Sequence, residues 1–526
     1  MKQKFYSISL FLSLFTATAL LTACADEFDT NYQVEKPASV VEAENLAQYN
    51  TLQSYVGDGF HLGNTLASAD LDGKTAAASL TLSNFNEVTI PDLFLHSKQV
   101  DNEGKIDVLV VSSLVADVSE KGINIFSSPL CASTNINAGY LSGLIEPETV
   151  EEPEVTGYDV IDFENDDLGK TYPLQKATGE EGKGSAVVEN DPAGVSGHVI
   201  HVTKTNNSYP AITFKFPEGR KLGDYSEFTL DFMAKNGTAL NQKLFVAVGG
   251  KNAEFKSAKE FGCAQNQWGR GVIVIDFAAL AFSDEQKQQK EVTVVIGPKL
   301  LNCDYLIDNI SFKYKYKPTY EVEKTEEEKF LIIGAALDEY ITAAMEAAPA
   351  INSWAVADCP VTSAPDLIWK QTLHDTYFGY AAHLMREQRS DAKLFVSEYL
   401  MDPEVRATFL HLLTADEIGM DQINGIDVLL PIDVASFDVN GFVTMLGELK
   451  ATGKLIRLTI QNVTGSDALA ADALAQVIAT YKKQIPAAQQ YGINFQAVTE
   501  SASNVGLWTT GFNRKSSYAS VAEALK

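Results

Sequence analysis

The stretch SWAVADCP, Ser353 to Pro360, ends an apolar run on a carboxylate and a thiol, Asp358 and Cys359. A second run of similar character, KLIRLTIQNV, carries Ile460, and a third segment, VTES, brings in Glu500. Carboxyl groups at strand ends are the usual donors, acceptors and nucleophiles of acid–base and covalent catalysis, whereas an isoleucine has no lone pair to offer. Adjacent side chains on a strand point to opposite faces, so the carboxylate of Asp358 is expected not to reach the place that Cys359 faces. Cys131, Cys263, Cys303 and Cys359 show no C-x-x-C spacing and no accompanying histidine pattern, so neither a metal site nor a cofactor is expected. Cys263 and Cys303 lie within one segment, and a disulfide and two buried thiols are both open readings.

The elements that must position these groups fall into three blocks. Residues 51–150 alternate short apolar runs (VTIPDLFL, KIDVLVVSSLVA, INIFSSPL) with helix-like stretches, the pattern of β/α units. Residues 151–318 open on a Pro- and Glu-rich linker, IEPETVEEPEV, and then read as short strands separated by turn residues, which suits an all-β sandwich or jelly roll. After a second charged linker, PTYEVEKTEEEK, residues 319–526 return to alternating helices and strands. The two β/α blocks together have the length of one (β/α)8 barrel with its loops. The fold class expected is therefore α/β, a TIM barrel interrupted by an inserted jelly-roll sandwich.

The formal charge of −28 over 526 residues, with no basic cluster, argues against a nucleic-acid partner. The leader MKQKFYSISLFLSLFTATALLTAC, residues 1–24, has early lysines and an apolar run too short for a stable spanning helix, and reads as a secretion signal. Its L-T-A-C end resembles the lipobox of bacterial lipoproteins, in which the cysteine, here Cys24, is acylated; the plainer reading is a cleaved signal with an incidental cysteine. The following ADEFD resembles the surface-export signal of Bacteroidetes lipoproteins, and residues 25–50 read as a polar tether. A lipid-anchored protein at the outer face of the outer membrane is the expectation, with the membrane touched through the anchor alone.

The barrel blocks resemble the family 10 glycoside hydrolases, the xylanase family, in several segments that occur in the right order. NFNEVTIPD (84–92) is similar to F-N-x-V-T-x-E-N-E, and GINIFSSPLCAS (122–133) sits where the family has G-H-T-L-V-W-H. INSWAVADC resembles W-D-V-V-N-E, SDAKLFVSEY resembles D-A-K-L-F-x-N-D-Y, and NGIDVLLP is similar to G-I-G-x-Q-x-H. KLIRLTIQNV lies over V-x-I-T-E-L-D, and YGINFQAVTESASNVGLW resembles the terminal Y-G-I-x-x-W-G-V-T-D segment. The resemblance implies retaining hydrolysis by two carboxyl groups about 5 Å apart, one an acid/base and the other a nucleophile. In this alignment Cys359 stands at the acid/base position and Ile460 at the nucleophile position. The sugar-binding positions have also changed, to Pro91, Asp92, Leu93, Phe94 and Leu95, to Ser128, Ala132 and Ser133, and to Pro431. Asp358 and Glu500 read either as structural hydrogen-bonding groups or as parts of a remodelled site.

YLIDNISF (305–312), YDVIDFEN and SGHVIHVTK with SYPAITFKF resemble family 4 and family 22 carbohydrate-binding modules, in which aromatic rings on a concave sheet stack on sugars. The candidate contacts are Tyr209 with Asn207 in the preceding polar run, Trp268, and, in the barrel, Trp508. Tyr209 reads equally as strand-edge packing, Trp268 as sandwich core, and Trp354 as core. The function these features imply is non-catalytic capture of xylan or a related plant polysaccharide for outer-membrane glycan-import partners. The alternative is an endo-1,4-β-xylanase-like hydrolase with a remodelled active site.

Overall fold

A computed structural model describes residues 36–300 and 302–526. The leader, Cys24 and residues 25–35 of the tether lie outside the described residues, and the remainder of the tether carries a helix, Ala38–Ala47. The chain divides into two compact units, one built by the chain up to Glu146 and from Lys324 to Lys526, the other by Pro147–Glu323. Among the described residues no helix is long and apolar enough to cross a membrane.

The first unit is a closed barrel of parallel strands in chain order. These are β1 (His61–Thr65), β2 (Glu87–Thr89), β3 (Asn124–Phe126), β4 (Ser353–Asp358), β5 (Lys393–Glu398), β6 (Gly425–Asp433), β7 (Leu455–Thr464) and β8 (Gln490–Phe495). Parallel neighbours need crossover connections, and helices supply them along the chain. The helix Glu326–Ala347 shows why one starts where it does. Thr325 accepts from the Glu328 N–H while the Glu328 carboxylate accepts from Thr325 N, and the acidic first turn suits the helix dipole. Its buried face, Ile333, Leu337, Tyr340, Ile341 and Ala344, recurs at helical spacing.

Strand alternation then sorts the barrel into two environments. Ile456, Leu458 and Ile460 of β7 share one apolar cluster with helix residues such as Leu446, Leu474 and Val477. Inside the barrel, Phe126, Ala355, Phe395 and Tyr491 form a separate small cluster. Above it the interior turns polar, and that layer carries the candidate site.

The second unit is an antiparallel sandwich. One sheet runs Gly269–Asp276, Tyr225–Ala234, Cys303–Tyr316, His198–Thr205, Lys183–Asn190, with Val155–Ile161 also paired to Cys303–Tyr316. The other runs Lys251–Ser257, Lys243–Val248, Glu291–Pro298, Ser208–Lys215, Leu174–Lys176. Alternate residues from both sheets, including Phe228, Leu230, Ile273, Val294, Ile296 and Ile307, fill the core between them. Cys263 is a buried reduced thiol in this core, so it makes no disulfide with Cys303. The acidic stretches read as linkers contribute strands of their own: Glu148–Glu151 pairs antiparallel with Thr319–Val322.

A contiguous unit with its own core is expected to fold alone. Residues 147–323, expressed separately, should give one cooperative urea transition with the circular dichroism of a β-protein; a chain without a transition would contradict this.

Candidate functional site

The C-terminal ends of the barrel strands surround a cavity of about 390 Å³. Its lining includes Thr65, Thr89, Ser128, Asp358, Cys359, Tyr399, Asp427, Arg457, Gln461 and Gln496. This is the face at which barrel folds place their chemistry, because the strands deliver side chains there while the βα loops remain free to vary.

Asp358 reaches this cavity, contrary to the expectation from strict alternation. Ala355 pairs with Phe395 and Ala357 with Val396, so β4 holds an extra residue between them. Trp354, Val356 and Ala357 pack in the outer apolar cluster, and after this bulge Asp358 lines the cavity. The Ser133 N–H donates to Asp358 Oδ1 at 2.6 Å, and the Ser133 hydroxyl donates to Oδ2 at 3.0 Å. Burial still raises the Asp358 carboxyl above the ordinary aspartate range.

Cys359 follows where the strand has ended, with φ +51°, and lines the same cavity. Its N–H donates to Ser397 O at 2.7 Å. Burial first, and then the charges of Asp358 and Glu398, push its thiol up to about 12. Glu398 itself is fully buried and serves the backbone, accepting from the N–H groups of Val361, Thr362 and Tyr399.

Ile460, at the nucleophile position in the alignment, does not face the mouth. Its side chain is turned outward into the apolar cluster, while Thr459 and Gln461 on either side line the cavity. The group that β7 presents at the mouth is therefore an amide. Pro431 is exposed and does not line the cavity, which is reached on β6 by Asp427 and Leu429. Glu500 stands apart, in a separate small cavity beside Asp467 and Asn504. It accepts from Lys515 Nζ at 2.8 Å and from Thr510 N at 3.0 Å, which hold its carboxyl below the usual range.

Beneath the mouth lies a charged layer absent from the expected site. Arg457 on β7, only 2% exposed, donates to Asp427 Oδ2 at 2.9 Å, to Thr89 Oγ1 at 2.6 Å and to Glu87 Oε1 at 3.3 Å. Thr459 donates to Asp427 Oδ1 at 2.8 Å and Ser397 to Asp427 Oδ2 at 3.2 Å, so both oxygens of Asp427 are engaged. Tyr491 donates to Glu87 Oε2 at 2.5 Å, and the guanidinium of Arg457 lies 3.8 Å from the centre of the Phe126 ring. A lone arginine within the apolar run LIRLTI was the sequence signal for this layer.

Tyr209 is 1% exposed, stacked on Phe245 at 4.7 Å under Lys204 Nζ, so it is not an open platform. Asn207 is half-buried and its Oδ1 accepts from Leu300 N at 2.8 Å. Trp268 is half-buried outside the sandwich core: it packs on Val199, Met233 and Leu306, donates to Asp191 Oδ1 at 3.0 Å, and is covered by Arg270 at 4.2 Å. Trp508 is buried between Phe85 and Tyr518 and lines no groove. Trp354 is fully buried, in the core. Tyr399, which sequence reasoning passed over, is 39% exposed at the mouth; the signal was an aromatic one residue past a strand end. Among the described residues no group of His, Cys, Asp and Glu is arranged to hold a metal ion.

The fold and mouth are those of a (β/α)8 barrel, and residues 315–520 match the family model described as Glycosyl hydrolase family 10. Among solved structures, the chain is similar to xylanase B from Clostridium stercorarium F9 at 11% identity, covering 90% of this chain and 100% of that one with a TM-score of 0.49. Xylanase 10B from Thermotoga petrophila RKU-1, solved with xylobiose, is likewise 11% identical, over 91% and 98% of the two chains, with a TM-score of 0.49. A GH10 endoxylanase from a sugarcane soil metagenome is 8% identical over 90% and 99%, again at 0.49. No curated protein matches the chain.

Removing Arg457 would leave Glu87 and Asp427 buried without their cation. Arg457→Met is expected to cost about 3–5 kcal/mol in urea unfolding, and adding Glu87→Gln and Asp427→Asn should recover much of that loss. A single mutant as stable as the parent would contradict the assignment.

Proposed function

We propose that the protein is a non-catalytic, surface-exposed glycan-binding lipoprotein whose barrel mouth takes up xylan or a related plant polysaccharide. The observation that carries this reading is the chemistry of the mouth. Retaining hydrolysis needs one carboxyl group to protonate the leaving oxygen and a second, about 5 Å away, to attack. Asp358 is a carboxyl with a raised proton affinity, but Asp427 has both oxygens engaged by Arg457, Thr459 and Ser397, and β7 lines the cavity with Arg457, Thr459 and Gln461 and no carboxyl. A thiol held near 12, as at Cys359, is a poor acid for a sugar oxygen.

Binding needs less. The partly exposed ring of Tyr399 suits the apolar C–H face of a pyranose, and Gln461 and Gln496 supply amide donors and acceptors for hydroxyls. The antiparallel sandwich is proposed to act as an accessory carbohydrate-binding module, with Trp268 as its most accessible candidate ring. The lipobox-like LTAC and the acidic run after it support anchoring through Cys24 at the outer membrane, beside glycan-import partners.

A second reading keeps catalysis. The carboxyl of Asp358 faces the cavity and burial raises it, the direction an acid catalyst needs, which favours a remodelled hydrolase.

Two outcomes follow. Titration calorimetry with xylo-oligosaccharides should detect binding that Tyr399→Ala weakens roughly ten-fold, about 1.4 kcal/mol, while no reducing sugar is released from xylan. Turnover by the parent that Asp358→Asn abolishes would replace the binding reading with the hydrolase. In cells, Cys24→Ala should move the protein from the membrane fraction to the soluble fraction, and continued membrane fractionation would count against the lipid anchor.

A further inference from the structure

A second cavity, of about 280 Å³, adjoins the mouth between the segments that follow β1 and β2. Its walls are mostly apolar, formed by Leu93, Leu95, Val108, Val110, Val111 and Leu114. The polar groups at its edge are largely engaged within the protein. Ser68 donates to Asp92 at 2.6 Å, Gln99 donates to Leu93 O at 2.7 Å and accepts from Tyr340 at 3.0 Å, and Asp107 accepts from Leu109 N at 3.1 Å. Little in this cavity calls for a hydroxyl-rich ligand.

The rim is unusual. Val110 is 70% exposed and the adjacent Leu109 is 81% exposed, the two most exposed large apolar side chains among the described residues. Two apolar residues left in water beside an apolar cavity mark a surface that gains by being covered. The two cavities also share a wall, because Leu95 lines both. A ligand seated in the mouth that extends past Leu95 would therefore pass from amides and hydroxyls to aliphatic side chains.

We infer that the ligand is a neutral saccharide bearing an aromatic acyl ester, with the sugar in the mouth and the aromatic group in the cavity beside it. This rests on the reading of the mouth as a glycan site. An acetyl group would leave most of such a cavity empty, whereas a flat aromatic acyl group fills it and buries the exposed rim. The ester linkage matters because the cavity edge sets two carboxylates, Asp92 and Asp107, against one ammonium, Lys98, a net negative charge that disfavours a free carboxylate, whereas an ester brings no charge and its carbonyl can still accept from Lys98.

The test compares a feruloylated xylo-oligosaccharide with the same preparation after alkaline de-esterification, by calorimetry on the full chain. The parent should bind the ester at least ten-fold more tightly, and Val110→Asp or Val110→Lys should abolish that preference without changing affinity for the de-esterified sugar. Val110 is exposed, so both variants should keep the parent's melting temperature. Equal binding of the two sugars by the parent, or a preference that survives both variants, overturns this inference alone. Binding of neither sugar removes the mouth reading, and this inference with it.

Discussion

A guanidinium enclosed by a barrel is the constraint around which the site is organised. Arg457 cannot be left unpaired at 2% exposure, so it draws carboxylates from β2 and β6 and a hydroxyl from β2 into one layer. The aromatic layer of Phe126, Phe395 and Tyr491 meets it, with the cation over one ring and a phenol on Glu87. Specificity of strand arrangement is what such a network contributes, since an apolar layer would tolerate more than one packing. The same network removes Asp427 from the chemistry of the mouth, because an acid already held by three donors is a weak candidate for attack or proton relay.

Above that layer the mouth is shaped by two backbone features. The bulge in β4 turns Asp358 inward, and the left-handed residue after it turns the chain so that Cys359 borders the same space. One carboxyl with a raised proton affinity, one inert thiol and several amides then face an exposed tyrosine. This is a surface equipped for hydrogen bonding and stacking, with little ionisable capacity left over.

The barrel was legible in the sequence because its evidence is distributed: apolar runs, helical spacing and the order of weak motifs all agree, and the error in any one of them is diluted. The site was less legible because each residue depends on strand parity, which a single bulge reverses. Alternation from Cys359 put Asp358 on the wrong side, and alignment put Ile460 at a mouth that Gln461 occupies. Tyr209 and Trp508 failed for another reason. An aromatic beside polar residues looks accessible in sequence, but Phe245 covers the first, and Phe85, from the other end of the chain, encloses the second together with Tyr518. The charged interior was visible only as an arginine and an aspartate out of place in apolar strands.

The paired segments Glu148–Glu151 and Thr319–Val322 bear on how such a chain assembles. Closing the barrel requires β3 to find β4 across a long separation; the hydrogen bond from Ala355 N to Ser127 Oγ spans 228 residues. The entropy lost in closing a loop grows with its logarithm, and non-local pairings of this kind slow folding. A sandwich that folds first and brings its two ends together as a ribbon replaces that long loop with a short one. On a ribosome that releases the chain from its N-terminus, the inserted unit then acts as a clasp, deferring barrel closure until it has folded and shortening the search once it has.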